Sequence, residues 1–247
     1  NPLAICLTTG HCGETLDFYG GMDDLANRVI RVLHSLSFVD DPTRILRAAR
    51  FEARLGFHLD PHSEALISEA LPLLDRVTGG RIRHELEQIF RERAPEAALE
   101  RLDALGALKE IDPALRYDDE VHHRFARLRA ELDADLWKLD DEDLLYLHWA
   151  LFLYGLNRQA LRRVSDRLMM PRQLTEALLQ LPELDEVYEE LHAETQPADV
   201  VALLEPLISP LLAASWLIVQ ADAVRQKIYR YWTEWRHVEP LLDGDDL

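Results

Sequence analysis

The stretch from Phe38 to Phe57, FVDDPTRILRAARFEARLGF, decides the fold of this chain. Asp41 is a good N-cap and Pro42 suits the first helical position. The pattern therefore predicts a helix that runs from Pro42 to about Leu55 and ends at Gly56. At 100° per residue its apolar side comprises Ile45, Leu46, Ala48, Ala49, Ala53 and Leu55, and its other side Arg44, Arg47, Arg50 and Arg54. The sequence thus predicts a helix that is half core and half arginine.

Arg44 has an unfavourable place on this helix. A cation in the first turn meets the partial positive charge of the helix N-terminus, which costs up to ~1 kcal/mol. Asp41 precedes it by three residues, and capping alone would justify that carboxylate. A carboxylate beside a guanidinium also places a hydrogen-bond acceptor next to donors, which matches the pairing edges of adenine and cytosine but not of guanine and uracil. Asp41 and Arg44 are therefore candidates for reading A and C in a pocket that works without a template.

Three motifs around this helix resemble one protein family. Asp40 to Phe51 resembles the EDPxRxLRAxRF segment of class II tRNA nucleotidyltransferases and bacterial poly(A) polymerases. Tyr19 to Leu25, followed by Ile30-Arg31, is similar to the DPxGGxxDLxxxxIR segment that joins their catalytic head to the neck. Arg81 to Leu86 is similar to their RxxxEL motif, and Asn1 to Ala4 resembles the end of their RRDFTxNAMA strand. The shared order of these motifs makes the resemblance specific.

The resemblance implies roles for individual residues. Asp41 would accept a hydrogen bond from the base amino group, and Arg44 would donate to the adjacent ring nitrogen. Supporting roles would belong to Asp40, Arg47, Arg50, Arg81 and Glu85, and connector roles to Gly20, Gly21, Asp24 and Arg31. Asp40 stands where relatives carry Glu, so its reach is shorter. For Arg81 and Glu85, an ion pair on the surface of one helix is the alternative interpretation.

The resemblance also implies that the reaction takes place outside this chain. In the family, the carboxylates that hold Mg²⁺ and the segment that binds the triphosphate precede RRDFTxNAMA. We therefore expect no catalytic residue and no metal ligand in this chain, which alone would be inactive. The substrates would be ATP and/or CTP, attacked at the α-phosphate by the 3′-hydroxyl of the tRNA acceptor end. The end of the chain, residues 240–247, resembles a tail segment that continues in relatives.

Composition limits the class of partner. The net charge is −18 over 247 residues, which opposes indiscriminate binding of nucleic acid. Residues 1–93 hold 11 Lys/Arg and 14 Asp/Glu, whereas residues 94–247 hold 16 and 31, so arginines of the first part should dominate contacts with RNA. No apolar run approaches the ~20 residues of a membrane helix, and two cysteines, Cys6 and Cys12, fit a reduced compartment. We expect a cytoplasmic protein with neither membrane nor DNA as a partner.

Most of the chain has helical periodicity. Ala4–Thr9 and Thr15–Tyr19 predict a small hairpin and Arg28–Leu33 a strand, with all β structure before His34. Besides a brief helix at 23–27 and the helix after Asp41, further helices are predicted at 61–74, 81–93, 95–106, 119–132, 141–154, 158–168, 172–181, 184–193, 198–207 and 211–237, the last with a break near Ala221. The predicted fold is mainly α, an irregular multi-helix array with a small β hairpin or strand remnant at the N-terminus. Four segments are expected: a head–neck connector at 1–37, a neck with the base-recognition helices at 38–93, a helical body at 94–182 and a helical tail at 183–247.

Several alternatives stay open at this stage. The aromatic residues Trp216, Tyr229, Tyr231, Trp232 and Trp235, interleaved with Arg225, Lys227, Arg230 and Arg236, are conceivable partners for RNA bases, although such spacing is more typical of a core. His122, His123 and His148 resemble a His-Asp metal site, but Trp149 stands where an aspartate is needed. A noncatalytic helical scaffold for protein partners would explain the acidic surface but not Arg44.

The sequence does not distinguish CCA-addition, CC-addition, A-addition and poly(A) synthesis, although the acidic body disfavours poly(A) synthesis. Nor does the sequence decide which body and tail residues contact tRNA, or the oligomeric state.

Overall fold

The structure is a computed structural model that describes residues 3–193 and 196–238. It is 66% helical and 4% strand, which confirms the mainly α prediction. The chain divides into two compact units: the first runs to Asp118 and includes Arg167–Met169, and the second comprises Asp119–Asp166 and the chain from Met170 on. The division into connector, neck, body and tail stays a prediction. The sequence similarities of residues 1–2 and 240–247 lie outside the described residues.

The β structure of the first unit consists of two small pairings. β1 (Leu3–Ile5) pairs antiparallel with β2 (Thr15–Asp17), which confirms the hairpin with shorter strands than predicted. β3 (Val29–Ile30) pairs in parallel with β4 (His58–Leu59). The prediction that all β structure precedes His34 is therefore wrong. A two-residue strand has no periodicity of its own, and β4 is defined only by hydrogen bonds to a distant partner.

Short helices form the rest of the first unit. They are α1 (Gly21–Asn27), α2 (Ser37–Asp40), α3 (Thr43–Leu55), α4 (Pro61–Ala70), α5 (Gly79–Phe90), α6 (Glu96–Ala104) and α7 (Ala107–Ile111), with a 3₁₀ turn at Leu71–Arg76. The helix α3 packs against α5 and α6, and it ends at Gly56, whose φ is 64°. Its predicted apolar side is buried at four positions, Ile45, Leu46, Ala48 and Ala49. Leu55 was wrongly assigned to that side: it is 50% exposed, because the last residue of α3 extends past the neighbours that bury the earlier turns.

Residues 167–169 pack against the start of α5. The guanidinium of Arg167 donates to the carbonyl oxygens of Leu74, at 2.8 Å, and Val77, at 3.2 Å. A Cβ added to Gly79 would lie 2.0 Å from the carbonyl oxygen of Arg167. Only glycine therefore fits at the first residue of α5.

The second unit is helical throughout its described part. Its helices are α8 (Asp119–Glu131), α9 (Asp141–Leu153), α10 (Arg158–Arg167, whose last residue belongs to the first unit), α11 (Arg172–Leu178), α12 (Leu184–Ala193), α13 (Pro197–Leu204), α14 (Ser209–Ile218) and α15 (Asp222–Thr233). The predicted break near Ala221 is confirmed by the gap between α14 and α15. No single helix of the described residues is long and apolar enough to cross a membrane; α13 and α14 together meet the length and composition test, but they are bent by 114°.

Aromatic residues near the end of the chain form part of the core of the second unit. The rings of Trp137 and Trp232 stack with centroids 5.2 Å apart, and Trp232 Nε1 donates to the carbonyl oxygen of Leu136 at 2.8 Å. Guanidinium groups cover the rings: Arg225 lies 4.0 Å from the centroid of Trp216, Arg236 4.0 Å from that of Trp232, and Arg230 4.7 Å from that of Trp235. Tyr231 and Trp232 are therefore core residues, and arginines cover the rings of Trp216 and Trp235, whereas Tyr229 is 40% exposed.

Candidate nucleotide-binding site

Asp41 lies directly before α3, where its carboxylate stabilises the start of the helix. Its Oδ1 accepts hydrogen bonds from the backbone nitrogen of Thr43, at 3.2 Å, and from the Thr43 hydroxyl, at 2.7 Å. The guanidinium of Arg81, on α5, donates to the same oxygen at 2.9 Å. The carboxylate thus has the capping function predicted from the sequence, although α3 begins one residue later than predicted, with Pro42 at the N-cap position.

The second carboxylate oxygen of Asp41 is uncommitted. Oδ2 has no hydrogen-bond or ion-pair partner within residues 3–193 and 196–238, and the side chain is 29% exposed. Burial opposes ionisation of this group, but the hydrogen bonds from Thr43 and the charge of Arg81 outweigh burial and lower the pKa of Asp41. Asp41 therefore keeps one ionised acceptor oxygen available at neutral pH.

Arg44 is oriented by Ser37, the first residue of α2. A single nitrogen of Arg44, Nη1, donates to the hydroxyl of Ser37 at 2.6 Å and to its backbone carbonyl at 3.2 Å. Nε and Nη2 make no hydrogen bond to the described part of the chain. The two acceptors of Ser37 offset the unfavourable place of this cation in the first turn.

The remaining arginines of α3 face two glutamates of the α5 segment, which is α5 together with the two residues that follow it. Arg47 lies 3.5 Å from Glu85, and Arg50 lies 4.0 Å from Glu85 and 3.8 Å from Glu92. Arg54, at the end of α3, lies 3.7 Å from Glu92. Glu85 is buried between two arginines. The arginine side of α3 is therefore largely neutralised, and its ion pairs connect α3 to α5.

Arg81 and Glu85 contact α3 rather than each other. Arg81 pairs with Asp41 and Glu85 with Arg47 and Arg50, so the alternative of a surface pair within α5 does not hold among the described residues. Both side chains thus connect α5 to α3, and their supporting role in base recognition stays a prediction.

Asp40 and the four connector residues show a different pattern. Asp40 Oδ2 lies 3.9 Å from His34 Nε2 and makes no bond to Asp41 or Arg44 within the described residues, so its supporting role stays a prediction. Gly20 precedes α1 with a φ of 74°. The backbone nitrogen of Gly21 donates to Asp17 Oδ1 at 2.8 Å, and Arg31 Nη2 donates to Asp24 Oδ1 at 2.9 Å. These contacts hold the start of α1 to Asp17 and the middle of α1 to Arg31, the residue after β3.

Two residues of the site were missed by sequence reasoning. Thr43 follows Asp41 by two positions, and an Asp side chain commonly accepts from a backbone nitrogen two residues later. That rule could have identified Thr43. Ser37 lies in α2, a helix of one turn, and no pattern in the sequence marks it as a partner of Arg44.

The chain is similar in sequence to known proteins. Residues 56–118 match the family model described as "Probable RNA and SrmB- binding site of polymerase A", and this match ends where the first unit ends. The A-adding tRNA nucleotidyltransferase of Geobacter sulfurreducens is 31% identical over 265 residues, which cover 100% of this chain and 29% of that protein. The A-adding enzyme of Aquifex aeolicus is 30% identical over 244 residues, covering 97% of this chain and 29% of its own length. The chain belongs to the tRNA nucleotidyltransferase family.

Solved structures of CCA-adding enzymes and of a tRNA-processing enzyme have the same fold. The Thermotoga maritima CCA-adding enzyme complexed with tRNA superposes with a TM-score of 0.80 at 28% identity, covering 99% of this chain and 60% of that chain. A CCA-adding enzyme with ATP gives 0.82 at 28% identity, with 98% and 60% covered. A tRNA-processing enzyme with CTP gives 0.77 at 28% identity, with 98% and 67% covered. The chain thus spans less than a third of the two A-adding tRNA nucleotidyltransferases and about two thirds or less of these structures.

Proposed function

We propose that this chain selects the incoming nucleotide and contributes to tRNA binding in an enzyme that adds AMP and/or CMP to tRNA 3′ ends. The observation that carries the proposal is the state of Asp41 and Arg44. Each is anchored by other residues, and together they leave an acceptor oxygen and donor nitrogens uncommitted at the start of α3. The known complexes of relatives with ATP and CTP support nucleotides of this kind.

Base selection follows from the direction of the hydrogen bonds. Asp41 Oδ2 would accept from the amino group of adenine or cytosine, and Arg44 would donate to the adjacent unprotonated ring nitrogen. Guanine and uracil present a carbonyl oxygen and a ring N–H at these places. Asp41 would then face an acceptor and Arg44 a donor, and each unpaired group costs about 1–3 kcal/mol. The pair would therefore favour ATP and CTP over GTP and UTP.

The chemical step is assigned to no residue of this chain. Attack of the tRNA 3′-hydroxyl on the α-phosphate, with loss of pyrophosphate, is the reaction expected of the whole enzyme. The described residues contain no group of three His, Cys, Asp or Glu side chains that could hold a metal ion. From family resemblance, we place Mg²⁺ outside residues 1–247, and we propose that residues 1–247 alone do not catalyse the reaction.

Two observations bear on the partner and on the nucleotide added. The match of residues 56–118 to an RNA-binding model supports contact between the first unit and tRNA. The two A-adding relatives align with 97–100% of the chain at 30–31% identity, and two CCA-adding structures cover 98–99% of it at 28%, which supports addition of AMP and/or CMP. We place this activity in the cytoplasm, where tRNA is processed, and propose neither DNA nor a membrane as a partner.

Poly(A) polymerase is the second candidate function. It is favoured by the wording of the RNA-binding family model, which names polymerase A. The net charge of −18 argues against it, because an enzyme that moves along RNA relies on attraction to many phosphates.

Calorimetric titration with ATP, CTP, GTP and UTP tests the proposed function. We expect ATP and/or CTP to bind the chain at least about tenfold more tightly than GTP and UTP, since one lost hydrogen-bonded group is worth ~1.4 kcal/mol or more. Arg44→Ala should abolish this preference. Arg54→Ala, which removes an exposed arginine from the same side of α3, is the control and should retain it. Equal binding of all four nucleotides that is unchanged in Arg44→Ala would contradict the proposal.

A further inference from the structure

Asp41 and Arg44 keep hydrogen-bonding atoms uncommitted although their charges are opposite, which requires an explanation. Asp41 and Arg44 carry opposite charges at the two ends of one turn, which a hydrogen bond from the Arg44 nitrogen to the Asp41 carbonyl oxygen closes at 3.1 Å, and opposite charges this close attract each other. Within the described residues these two side chains make no ion pair with one another. Other residues must therefore compete for both of them.

We infer that Ser37, Thr43 and Arg81 are positioning residues for base selection. They prevent Asp41 and Arg44 from pairing with each other and leave one acceptor oxygen and two donor nitrogens for the base. The inference rests on the proposed function and adds to it the residues that set the discrimination between ATP and GTP.

On the carboxylate side, three donors converge on one oxygen. The backbone and hydroxyl of Thr43 and the guanidinium of Arg81 all bind Oδ1 of Asp41, at 3.2, 2.7 and 2.9 Å. A carboxylate has about four acceptor sites, two on each oxygen, so this arrangement saturates Oδ1 and leaves Oδ2 unused. Thr43 is buried, whereas the Arg81 side chain is 56% exposed. The two bonds from Thr43 thus fix the carboxylate locally, and Arg81 supplies the charge that competes with Arg44.

On the guanidinium side, one buried residue supplies both acceptors. The hydroxyl and carbonyl of Ser37 bind the same nitrogen of Arg44, at 2.6 and 3.2 Å. Because the guanidinium is planar, fixing Nη1 in this way also fixes the direction of Nη2 and Nε. Loss of the hydroxyl would leave only the longer bond to the carbonyl, and the group could then turn toward Asp41.

The inference makes a specific statement about affinity. If Asp41 and Arg44 pair with each other, both become unavailable to the base, whereas contacts that do not involve the base edge are unaffected. Binding of ATP should weaken toward that of GTP, and binding of GTP should change little. A purely structural role would weaken all nucleotides alike.

The first test measures the ratio of ATP to GTP affinity by calorimetry. We expect Ser37→Ala, Thr43→Val and Arg81→Gln each to reduce the ratio about tenfold, the factor that corresponds to 1.4 kcal/mol. Thr43→Ser and Arg81→Lys, which keep the hydroxyl and the charge, should restore part of it. The controls are Ser68→Ala, which removes an exposed serine hydroxyl, and Arg91→Gln, which removes an exposed arginine just after α5; both should behave as wild type.

The outcomes separate the inference from the function on which it rests. A wild-type ratio near one overturns both. A wild-type preference that survives in all three positioning variants, or a parallel loss of ATP and GTP binding, overturns the positioning inference alone.

A second measurement does not depend on nucleotide binding. We expect the crystal structure of the Ser37→Ala/Arg81→Gln double variant, without nucleotide, to show the carboxylate of Asp41 within ion-pair distance of the guanidinium of Arg44. Continued separation of the two groups would overturn the inference.

Discussion

At the scale of single residues, Asp60 shows how one side chain connects several elements of the first unit. Its carboxylate accepts hydrogen bonds from the backbone nitrogen of His62, at 3.1 Å, and from the hydroxyl of Ser63. The carboxylate of Asp60 thereby caps the start of α4. The same hydroxyl of Ser63 accepts from the backbone nitrogen of Val32 at 3.0 Å, and the Asp60 nitrogen donates to the carbonyl of Ile30 at 3.1 Å. Asp60 thus connects β3 and β4 to α4.

Replacement of Asp60 by alanine should destabilise the fold in a pH-dependent way. Burial opposes ionisation, but hydrogen bonds from Ser63 and His62 outweigh it and lower the pKa of Asp60. A depressed folded-state pKa stabilises the protein above the unfolded value of about 3.9, and this contribution is lost as the pH falls through the folded-state pKa. We expect Asp60→Ala to lower the free energy of unfolding in urea by about 0.5–2 kcal/mol at pH 7 and by less at pH 3.

The exposed carboxylate of Asp75 provides the control for this measurement, because it makes no hydrogen bond or ion pair within the described residues. Asp75→Ala should change the unfolding free energy by no more than about 0.5 kcal/mol at either pH. An Asp60→Ala deficit that is the same at both pH values would contradict the role given to its charge.

The candidate site was predictable from the sequence only where local rules apply. Asp41 and Arg44 stand out because capping and the helix dipole act within one turn. Arg81, forty residues further along the chain, was named only through the family resemblance, because no local rule pairs it with Asp41. The partners of Glu85 were ambiguous as well, because its spacing from Arg81 suggested an ion pair within α5. The packing of α5 on α3 pairs Glu85 with Arg47 and Arg50 instead.

At the scale of elements, the placement of α5 depends on its first residue. Gly79 lies against the backbone of residues 167–169, and Arg83 on the next turn donates to the carbonyl oxygens of Leu168 and Met169. From this fixed start, α5 presents Arg81 to the carboxylate of Asp41. A shift of α5 would therefore disturb the base-reading pair.

Adjacent glycines at the start of α5 should respond in opposite ways to alanine. A Cβ at Gly79 would meet the backbone carbonyl of Arg167 at 2.0 Å, whereas a Cβ at Gly80 would meet nothing within 4 Å. We expect Gly79→Ala to lower the free energy of unfolding by about 1–3 kcal/mol through overpacking. Gly80→Ala should leave it unchanged or raise it by up to about 1 kcal/mol, because alanine has the higher helix propensity. Thermal unfolding of the two variants checks this, and a neutral Gly79→Ala would contradict the close approach.

The sequence located most helices through capping residues and apolar periodicity. The helices that it missed depend on contacts with residues distant in the chain. Gly56 ends α3 as predicted because its φ of 64° suits glycine, and the break between α14 and α15 falls where the apolar pattern changes near Ala221. The helices α2 and α7, which are only 4 and 5 residues long, were not predicted. Elements of this length carry too few residues for a periodicity and are formed by the tertiary contacts around them.

At the scale of the whole molecule, charge argues for selective rather than general binding of nucleic acid. The chain has a net charge of −18, and arginines of α3 that could have attracted phosphates are paired with glutamates of the α5 segment. Exposed charges farther apart than about 8 Å are screened at physiological salt. Recognition of a nucleotide is therefore expected to rest on the few side chains whose hydrogen-bonding groups are uncommitted, above all Asp41 and Arg44.

Nuclear magnetic resonance of the Arg44 side chain tests the central claim, that Asp41 and Arg44 read the base, most directly. The Nε–H resonance of Arg44, identified by its absence in Arg44→Lys, would be followed during titration of the labelled protein with each of the four nucleotides. We expect it to shift with ATP and/or CTP and to stay in place with GTP and UTP. A response that is the same for all four nucleotides, or ATP binding that leaves the Arg44 resonance unmoved, would contradict the account.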